Sequence, residues 1–398
     1  MKLAARLGRI KPSATLAINA KANELKKSGV RIINFGVGEP DFDTPQNIGN
    51  AGMESIRKGM TRYTAVGGIN ELKDAVCATI KADYGLSYGR ENVLVSCGGK
   101  HALYNLFMTL LDPGDEVIIP SPFWVSYPDM VNLADAKPVV VTCPQEDGFI
   151  LRPENLEKAI TPRTRLLILN SPSNPTGKYY GADELKALAE VLLRHENVLI
   201  ASDDIYYRIL FGGKKWVNLA MVEEKLRERI FILNGVSKSY CMTGWRIGYL
   251  VGDRTVIKAA TDFQSQVTSN AASISQWAAV EALAGDQEPA AEMAKVFERR
   301  CNRVLELLSG MPGVTCAAPD GAFYVFPNFS SYFGKKFGTR TIAGSLDLAD
   351  FLMEEAHVAV VPGEAFGENN CIRFSYALSD EEIERGFDAV AKALQKLS

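Results

Sequence analysis

The chain has 398 residues, of which 47% are hydrophobic and 23% are charged, with a formal net charge of −3 at pH 7. This length favours two domains, and the near balance of charges gives no reason to expect a nucleic-acid partner. Lys2, Arg6 and Arg9 interrupt any apolar signal-peptide core, and no uninterrupted apolar run is long enough to span a bilayer, so we predict a cytoplasmic protein.

Cysteine and histidine are too scattered to predict a metal centre or a nucleophile–histidine–acid triad. The seven cysteines contain no C-x-x-C pair, and their odd number favours reduced thiols over a disulfide framework. The three histidines, His101, His195 and His357, lie far apart in the sequence. We therefore predict no metal site, and lysine with an organic cofactor becomes the better candidate for chemistry.

The first 44 residues predict an N-terminal arm with one helix and one short strand. The helical pattern begins near Leu16 and stops at Ser28-Gly29, and the strand covers residues 31–35. Residues 36–42, G-V-G-E-P-D-F, form a loop rich in turn-forming residues. We assign residues 1–44 to an arm and to part of a small domain that the end of the chain completes.

Helical and extended patterns alternate over residues 45–285, which we assign to a large domain. The predicted strands cover residues 93–95, 116–120, 166–169, 198–201, 230–233 and 247–251. Repeated β-α units predict an α/β fold, in which a mostly parallel sheet is sandwiched by helices. Ligands of such sheets bind at the carboxyl ends of the strands. The polar loops follow those ends, so we expect one site there.

The pattern changes after about residue 285. A long amphipathic helix over 288–308 precedes short strands near 322–326, 359–361 and 372–375, and helices near 345–356 and 380–396. Residues 286–398 therefore predict a smaller α+β domain.

The stretch 234–248, N-G-V-S-K-S-Y-C-M-T-G-W-R-I-G, follows an apolar strand and holds one lysine and one arginine. A lysine on a Gly/Ser-rich turn after a core strand, with Arg246 nearby, suits a Schiff base to a phosphorylated aldehyde. Taken alone, Lys238 is more often an ordinary surface lysine. Taken alone, three further candidates also have an ordinary structural interpretation: Asp203 as a helix cap, Asn174 as a turn residue and Trp124 as a core aromatic residue.

Nine polar segments occur together in one order along the chain. They are G-E-P-D-F (38–42), R-Y-T (62–64), G-G-K (98–100), F-W-V-S-Y-P (123–128), S-P-S-N-P-T-G (171–177), S-D-D-I-Y (202–206), S-K (237–238), M-T-G-W-R-I-G-Y (242–249) and I-R-F-S-Y-A (372–377). The set resembles class I pyridoxal-phosphate aminotransferases of fold type I, most closely the gamma subgroup of aspartate and prephenate aminotransferases. The resemblance covers essentially the whole chain.

The resemblance implies roles for the residues around the cofactor ring. Lys238 would bond to pyridoxal 5′-phosphate and later carry the proton, and it has to be largely neutral to do so. Asp203 would face the pyridine nitrogen and keep it protonated. Tyr206 and Asn174 would hydrogen-bond the phenolic oxygen, and Trp124 would stack on the ring. Lys238, Asp203 and Tyr206 are therefore the expected catalytic residues.

The resemblance also implies a phosphate site. Gly98 and Gly99 would offer amide groups at a helix N-terminus, and Ser237 and Arg246 would complete the site. A nucleotide-binding loop is the alternative for the G-G-K segment, but the spacing of the P-loop motif is absent. Tyr63 would reach the phosphate from a partner subunit, which implies a homodimer.

One position before the lysine departs from the pattern of many relatives. They carry a phosphate-binding serine three residues before the lysine, where this chain has Gly235. We therefore expect one hydroxyl fewer around the phosphate.

Substrate binding is implied for residues on three segments. Arg373 would hold the α-carboxylate as a bidentate clamp, with help from the Gly38 amide. Lys100, together with Ser13 and Thr15 in the arm, would receive a carboxylate at the distal end of the substrate. Two of the cofactor residues would also contact the substrate, namely Trp124 and Asn174.

A cation at the distal end favours acidic amino acids, because an apolar side chain would leave the buried lysine unpaired. We expect a ping-pong aminotransferase that moves an amino group from aspartate to 2-oxoglutarate. Prephenate aminotransferase activity, forming arogenate, is the first alternative, alone or in the same site. An aromatic or alanine aminotransferase, or a pyridoxal-phosphate-dependent β-lyase, is a more distant one.

Overall fold

The computed structural model describes residues 2–10, 12 and 14–398. The helices, in chain order, are α1 Ala14–Lys27, α2 Gln46–Arg57, α3 Asn70–Tyr84, α4 Gly99–Leu110, α5 Ser126–Leu133, α6 Pro153–Ala159, α7 Ala182–Leu193, α8 Leu219–Val222, α9 Arg254–Val267, α10 Ser273–Ala284, α11 Glu288–Ser309, α12 Ser345–Glu355 and α13 Asp380–Leu394. The strands are β1 Ile33–Asn34, β2 Val93–Ser96, β3 Glu116–Ser121, β4 Lys137–Thr142, β5 Thr164–Asn170, β6 Leu199–Asp203, β7 Ile230–Gly235, β8 Gly248–Val251, β9 Tyr324–Val325, β10 Lys336–Phe337, β11 Arg340–Thr341, β12 Val358–Ala359, β13 Val361–Pro362 and β14 Ile372–Ser375.

A seven-stranded sheet forms the centre of the molecule, with the strand order β2-β8-β7-β6-β5-β3-β4. Strand β8 runs antiparallel to both of its neighbours, whereas the other neighbouring pairs run parallel. Helices cover both faces of this sheet, so the predicted α/β fold is confirmed. The carboxyl ends of β5, β6 and β7 lie side by side at one edge, because these three strands are parallel neighbours.

Successive residues of the central strands pack on opposite faces of the sheet. In β7, Ile230 and Ile232 join a core that includes α3, α7 and α10. Phe231 and Leu233 join a second core that includes α4, α5 and α9. A strand buried on both faces needs apolar side chains at every position, which is why these strands appear as continuous apolar runs in the sequence.

The end of the chain builds a second set of elements. Strands β13, β14 and β9 form an antiparallel sheet, and α11, α12 and α13 pack with it around an aromatic-rich core. Strand β1 of the arm pairs in parallel with β12, so the start of the chain joins these elements. The domain boundaries that we place after residues 44 and 285 stay predictions.

Two strands differ from the sequence-based assignment. Strand β4 is absent from that assignment, because it lies at the sheet edge, is only partly buried and contains Pro138, all of which weaken the strand pattern. The strand expected over 31–35 is paired in a ladder only over Ile33–Asn34. Within the described residues, the structure contains no helix of sufficient length and apolar character to cross a membrane.

Candidate active site

A cavity of about 390 Å³ opens where the carboxyl ends of β5, β6 and β7 meet. Asn170 and Asp203 end β5 and β6, and Lys238 follows the end of β7. The arm contributes Gly38, and the small antiparallel sheet contributes Arg373. The sheet edge at which we expect a ligand therefore carries polar groups from separate parts of the chain.

Lys238 lies inside this cavity on the turn after β7. Its Nζ donates a hydrogen bond to the backbone oxygen of Gly38. Burial lowers the pKa of Lys238 to about 8, because the ammonium form loses hydration there. The charge of Glu39 opposes this shift, and the charges of Arg373 and Arg246 reinforce it. The environment therefore brings the lysine close to the neutral form that a base or nucleophile requires.

Asp203 is 6% exposed and is held by two donors. The hydroxyl of Tyr127 donates to Oδ2 at 2.6 Å, and the amide of Ile205 donates to Oδ1 at 3.3 Å. Burial raises the pKa of Asp203 to about 6, although the hydrogen bond from Tyr127 acts in the opposite direction. A cationic ring nitrogen next to this carboxyl would hold it in the ionised form.

Arg373 is a buried cation on β14, with only 2% of its surface exposed. It donates to Asn174 Oδ1 at 3.0 Å through Nη1 and to the Gly36 oxygen at 2.7 Å through Nη2. Its guanidinium lies 4.7 Å from the ring centre of Tyr324. Its Nε has no hydrogen-bond partner, and no carboxylate of the described residues forms an ion pair with it. A buried cation without a counter-ion, at a cavity wall, is suited to bind a carboxylate.

The phenols of Tyr206 and Tyr324 meet in the same wall, with 2.9 Å between their hydroxyl oxygens. Both side chains are buried and line the cavity. Burial raises the pKa of Tyr206 well above its usual value, so this phenol remains protonated and able to donate.

The N-terminus of α4 points free amide groups at the cavity. Among the described residues, the amides of Gly99 and Lys100 have no hydrogen-bond acceptor. Gly98 has φ 90°, and a Cβ there would overlap the guanidinium of Arg246. A Cβ at Gly248 would overlap the backbone of Gly98 and Gly99. Glycines therefore let β8, Arg246 and the helix end approach closely, and they form a pocket for an anion.

Gly235 lies in β7 opposite Gly248 of β8, where there is little room for a side chain. A Cβ at Gly235 would lie 2.9 Å from the Ile247 oxygen and 3.0 Å from the Gly248 Cα. This backbone contact accounts for a glycine where many relatives are expected to have serine. The hydroxyl of Ser237 remains near the anion pocket, because Ser237 lines the cavity.

Lys100 and Trp124 lie together at the cavity mouth. The Lys100 Nζ is 4.9 Å from the centre of the Trp124 ring. Lys100 is exposed, not buried as expected from the sequence. Partial desolvation and the charge of Arg246 lower its pKa. Thr15 of the arm lines the same opening, whereas Ser13 lies outside the described residues.

The sequence model of the family described as aminotransferase class I and II matches residues 30–390. The chain belongs to this family. The aminotransferase is 48% identical over 398 residues to the aspartate aminotransferase of Geobacillus stearothermophilus, with 99% of each chain covered. It is 51% identical over 383 residues to a Rickettsia bellii protein named "Probable aspartate/prephenate aminotransferase", with 96% of each chain covered. A solved structure of Thermus thermophilus aspartate aminotransferase with maleate has a TM-score of 0.91 and 40% identity, covering 99% of this chain and 100% of that one.

The aminotransferase fold is that of pyridoxal-phosphate-dependent transferases of fold type I, and members of this family depend in general on that cofactor. The described residues fit such a group. The unpaired amides at α4 and the adjacent Arg246 fit a phosphate, and the glycine pocket leaves space for it. The buried acid Asp203 and Lys238, whose pKa is lowered, line the same cavity. The donor set of the aminotransferase is therefore complementary to pyridoxal phosphate.

The cavity of the aminotransferase brings most of the residues predicted for its site together. Those that line it are Gly38, Gly99, Lys100, Trp124, Asn174, Asp203, Tyr206, Ser237, Lys238, Arg246 and Arg373. Gly98 lies directly behind, against Arg246. Tyr63 is 93% exposed and is not part of the cavity of its own subunit.

Tyr127, Tyr324 and Glu39 also line the aminotransferase cavity, although the sequence alone gives none of them a role. Tyr127 and Glu39 lie inside segments that carry the family resemblance. The resemblance could therefore have indicated that they lie near the site, but not which residues they contact. Tyr324 lies in the strand expected near 322–326, and only the fold places it next to Tyr206.

Proposed function

We propose that this aminotransferase moves the amino group of aspartate to 2-oxoglutarate by a ping-pong mechanism. The main support is Arg373, a buried cation at the cavity wall that has no ion-pair partner among the described residues. Lys100 is an exposed cation that lines the same cavity, so the cavity offers one buried and one exposed cation. Two separated cations suit a substrate with two carboxylates.

Bound pyridoxal phosphate would supply an aldehyde carbon for the amino group and a ring that withdraws electrons from the substrate's α-carbon. Gly98, Gly99, Ser237 and Arg246 would hold the phosphate. Trp124 would stack on the ring, and these contacts together would fix the position of the ring against the lysine.

Three side chains would set the electron distribution of the ring. Asp203, buried and held by Tyr127, would pair with the ring nitrogen. Tyr206 and Asn174 would donate hydrogen bonds to the phenolic oxygen. Because Asn174 Oδ1 accepts from Arg373, its amide group is oriented by the same residue that would bind substrate.

Lys238 would be both the attachment point and the proton carrier. With a pKa of about 8, roughly a tenth of the lysine is neutral at pH 7, far more than for an exposed lysine. The neutral amine would take the proton from the substrate's α-carbon and deliver it, in the same half-reaction, to the carbon that the cofactor's aldehyde supplies. The second half-reaction would run this transfer in reverse.

Substrate would enter with its α-carboxylate at Arg373 and the Gly38 amide. Its distal carboxylate would reach Lys100 and the arm residues Ser13 and Thr15. The Thermus thermophilus relative carries maleate in its solved structure, and maleate is a four-carbon dicarboxylate of aspartate size. That relative supports acidic substrates for this chain.

Prephenate is the second candidate substrate, because the Rickettsia bellii relative bears the name of both activities. Prephenate also has a second carboxylate, which Lys100 would accept as it accepts that of aspartate. The β-lyase and the aromatic or alanine aminotransferase have no comparable observation in their favour.

We also propose a homodimer in which Tyr63 of one subunit approaches the phosphate of the other. An exposed tyrosine in a polar, glycine-containing loop fits a role across an interface. The cytoplasmic location stays a prediction from the sequence.

A half-reaction panel tests the proposal. Protein loaded with pyridoxal phosphate is mixed with one donor at a time: aspartate, glutamate, tyrosine, alanine or arogenate. We expect aspartate, added without an oxoacid, to convert the cofactor absorbance to that of the pyridoxamine form, and 2-oxoglutarate then to reverse it. Glutamate should therefore also convert the absorbance, because it is the product of that reversal. The Lys238→Ala variant should lose turnover by about 10²–10⁴-fold or more. No conversion with any acidic donor would refute the proposal, and conversion by arogenate but not by aspartate would favour the prephenate activity.

A further inference from the structure

The contact between Tyr206 and Tyr324 joins two buried phenols in the cavity wall. Tyr324 is on β9, which pairs with β14, the strand that carries Arg373. Its ring lies 4.7 Å from the guanidinium of Arg373, and a Cβ at Gly38 would lie 3.1 Å from its hydroxyl. Tyr324 therefore touches the residues assigned to both cofactor and substrate.

The two phenols of the pair have one hydroxyl proton each to donate. A phenol carries one proton and can accept hydrogen bonds through its oxygen. Within the described residues, neither hydroxyl has another hydrogen-bond partner, so one phenol donates to the other. If Tyr206 gives its single proton to Tyr324, none remains for an acceptor in the cavity.

We propose that Tyr324 is a positioning residue that donates to Tyr206 and thereby directs the hydroxyl proton of Tyr206 toward the cofactor. This inference rests on the proposed function, in which Tyr206 donates to the phenolic oxygen of pyridoxal phosphate. With Tyr324 as donor, both phenols are satisfied, and the two hydrogen bonds in series strengthen each other.

The surroundings of Tyr324 favour this direction of donation. The guanidinium of Arg373 lies over its ring, and a cation there stabilises negative charge on the phenol, which makes its proton a better hydrogen-bond donor. Burial raises the pKa of Tyr324, and the charge of Arg373 opposes that rise. Tyr206 faces Arg373 as well, and also the acid Asp203, whose charge acts against ionisation of Tyr206.

The test uses the loaded enzyme and the pH at which the absorbance of bound pyridoxal phosphate changes. The midpoint pH of this change is the pKa of the nitrogen that would link the cofactor to Lys238. A hydrogen bond donated to the phenolic oxygen stabilises its ionised form, and it therefore lowers the midpoint. We expect Tyr324→Phe to raise the midpoint by about 0.3–1 pH unit, since Tyr206 becomes a weaker donor.

A double-variant cycle separates action through Tyr206 from direct action. Tyr206→Phe should raise the midpoint more than Tyr324→Phe does. In Tyr206→Phe/Tyr324→Phe, the midpoint should equal that of Tyr206→Phe alone, because the hydroxyl that Tyr324 orients is gone. The KM for aspartate should change little in Tyr324→Phe, since the ring under Arg373 remains, whereas kcat should fall several-fold.

The matched control is Tyr332→Phe, which removes another buried hydroxyl. Tyr332 donates to the Pro312 oxygen at 2.7 Å, and this bond does not involve the cavity. Its midpoint should equal that of the wild type. A wild-type midpoint in Tyr324→Phe, or shifts that simply add in the double variant, would overturn the inference. A wild-type protein that takes up no pyridoxal phosphate would contradict the proposed function instead.

Discussion

Lys238 is subject to opposing electrostatic influences, and Glu39 is the acid whose charge acts on it most strongly. The pKa of Lys238 is lowered to about 8, mainly by burial; the charges of Arg373 and Arg246 act in the same direction, and those of Glu39 and Asp203 oppose the shift. Glu39 also accepts a hydrogen bond from the Thr243 hydroxyl at 2.8 Å. A glutamine at this position keeps an acceptor for Thr243 but removes the charge.

We predict that Glu39→Gln lowers the pKa of Lys238 in the cofactor-free protein, because the remaining arginine charges are no longer balanced. The measurement is the rate at which an amine-acylating reagent modifies Lys238 as a function of pH, since only the neutral amine reacts. The half-maximal rate should move to a pH below the value of about 8 expected for the wild type.

Asp43→Asn provides the control for this titration, because Asp43 is an exposed acid on the same loop. Its loss should move the midpoint less than the loss of Glu39 does. An unchanged or raised midpoint in Glu39→Gln would show that Glu39 does not act on the lysine. The same comparison at high salt should shrink the difference, since exposed charges are screened.

At the scale of elements, hydrogen bonds of Asp41 and Thr44 fasten the loop over residues 36–44 to two segments that are distant in sequence. Thr44 Oγ1 donates to the Cys241 oxygen at 2.7 Å and accepts from Trp245 Nε1 at 3.0 Å, next to the lysine turn. On the other side, Asp41 accepts two hydrogen bonds from Arg300 of α11, at 2.7 and 2.9 Å. Because this loop supplies the Gly38 oxygen to Lys238, its attachment helps to fix the site.

We predict that Asp41→Asn lowers the free energy of unfolding by about 1–3 kcal/mol, since Arg300 is buried and loses an ionic acceptor. Thermal and urea denaturation measure this change. Asp74→Asn is the matched control, because it breaks a pair with Arg90 in which both side chains are 52% exposed. That pair should contribute about 0–1 kcal/mol. Equal stabilities of the two variants would contradict the role of Asp41.

The sequence was sufficient to predict the elements whose pattern is local. The apolar run of β7 followed by small residues identifies the lysine turn, and the alternation of helices and strands identifies the central sheet. Contacts between segments that are distant in the sequence could not be predicted in this way. Tyr206 and Tyr324 are 118 positions apart, and Asp41 and Arg300 are 259 positions apart. Such pairs depend on how β9 and α11 pack against the sheet, which no local pattern encodes.

At the scale of the whole molecule, the placement of Tyr63 bears on whether one subunit makes a complete site. Tyr63 is 93% exposed, although the loop that carries it is well anchored. Its neighbour Thr64 accepts a hydrogen bond from Gln276 at 3.1 Å, and the Val66 oxygen accepts one from Gln264 at 3.0 Å. A loop that is held by hydrogen bonds and carries a solvent-exposed aromatic side chain is suited to contact a second subunit.

Hybrid dimers test whether Tyr63 acts across that interface. Subunits carrying Tyr63→Ala and subunits carrying Lys238→Ala are co-expressed with different tags, and only hybrids are purified. If Tyr63 serves the other subunit, one site of each hybrid has both native residues and the other has neither, so about half of the wild-type activity should return. If Tyr63 serves its own subunit, neither site is native. Hybrids no more active than the mean of the two parental homodimers would then refute a shared site, because the lysine and the tyrosine would be needed on the same chain.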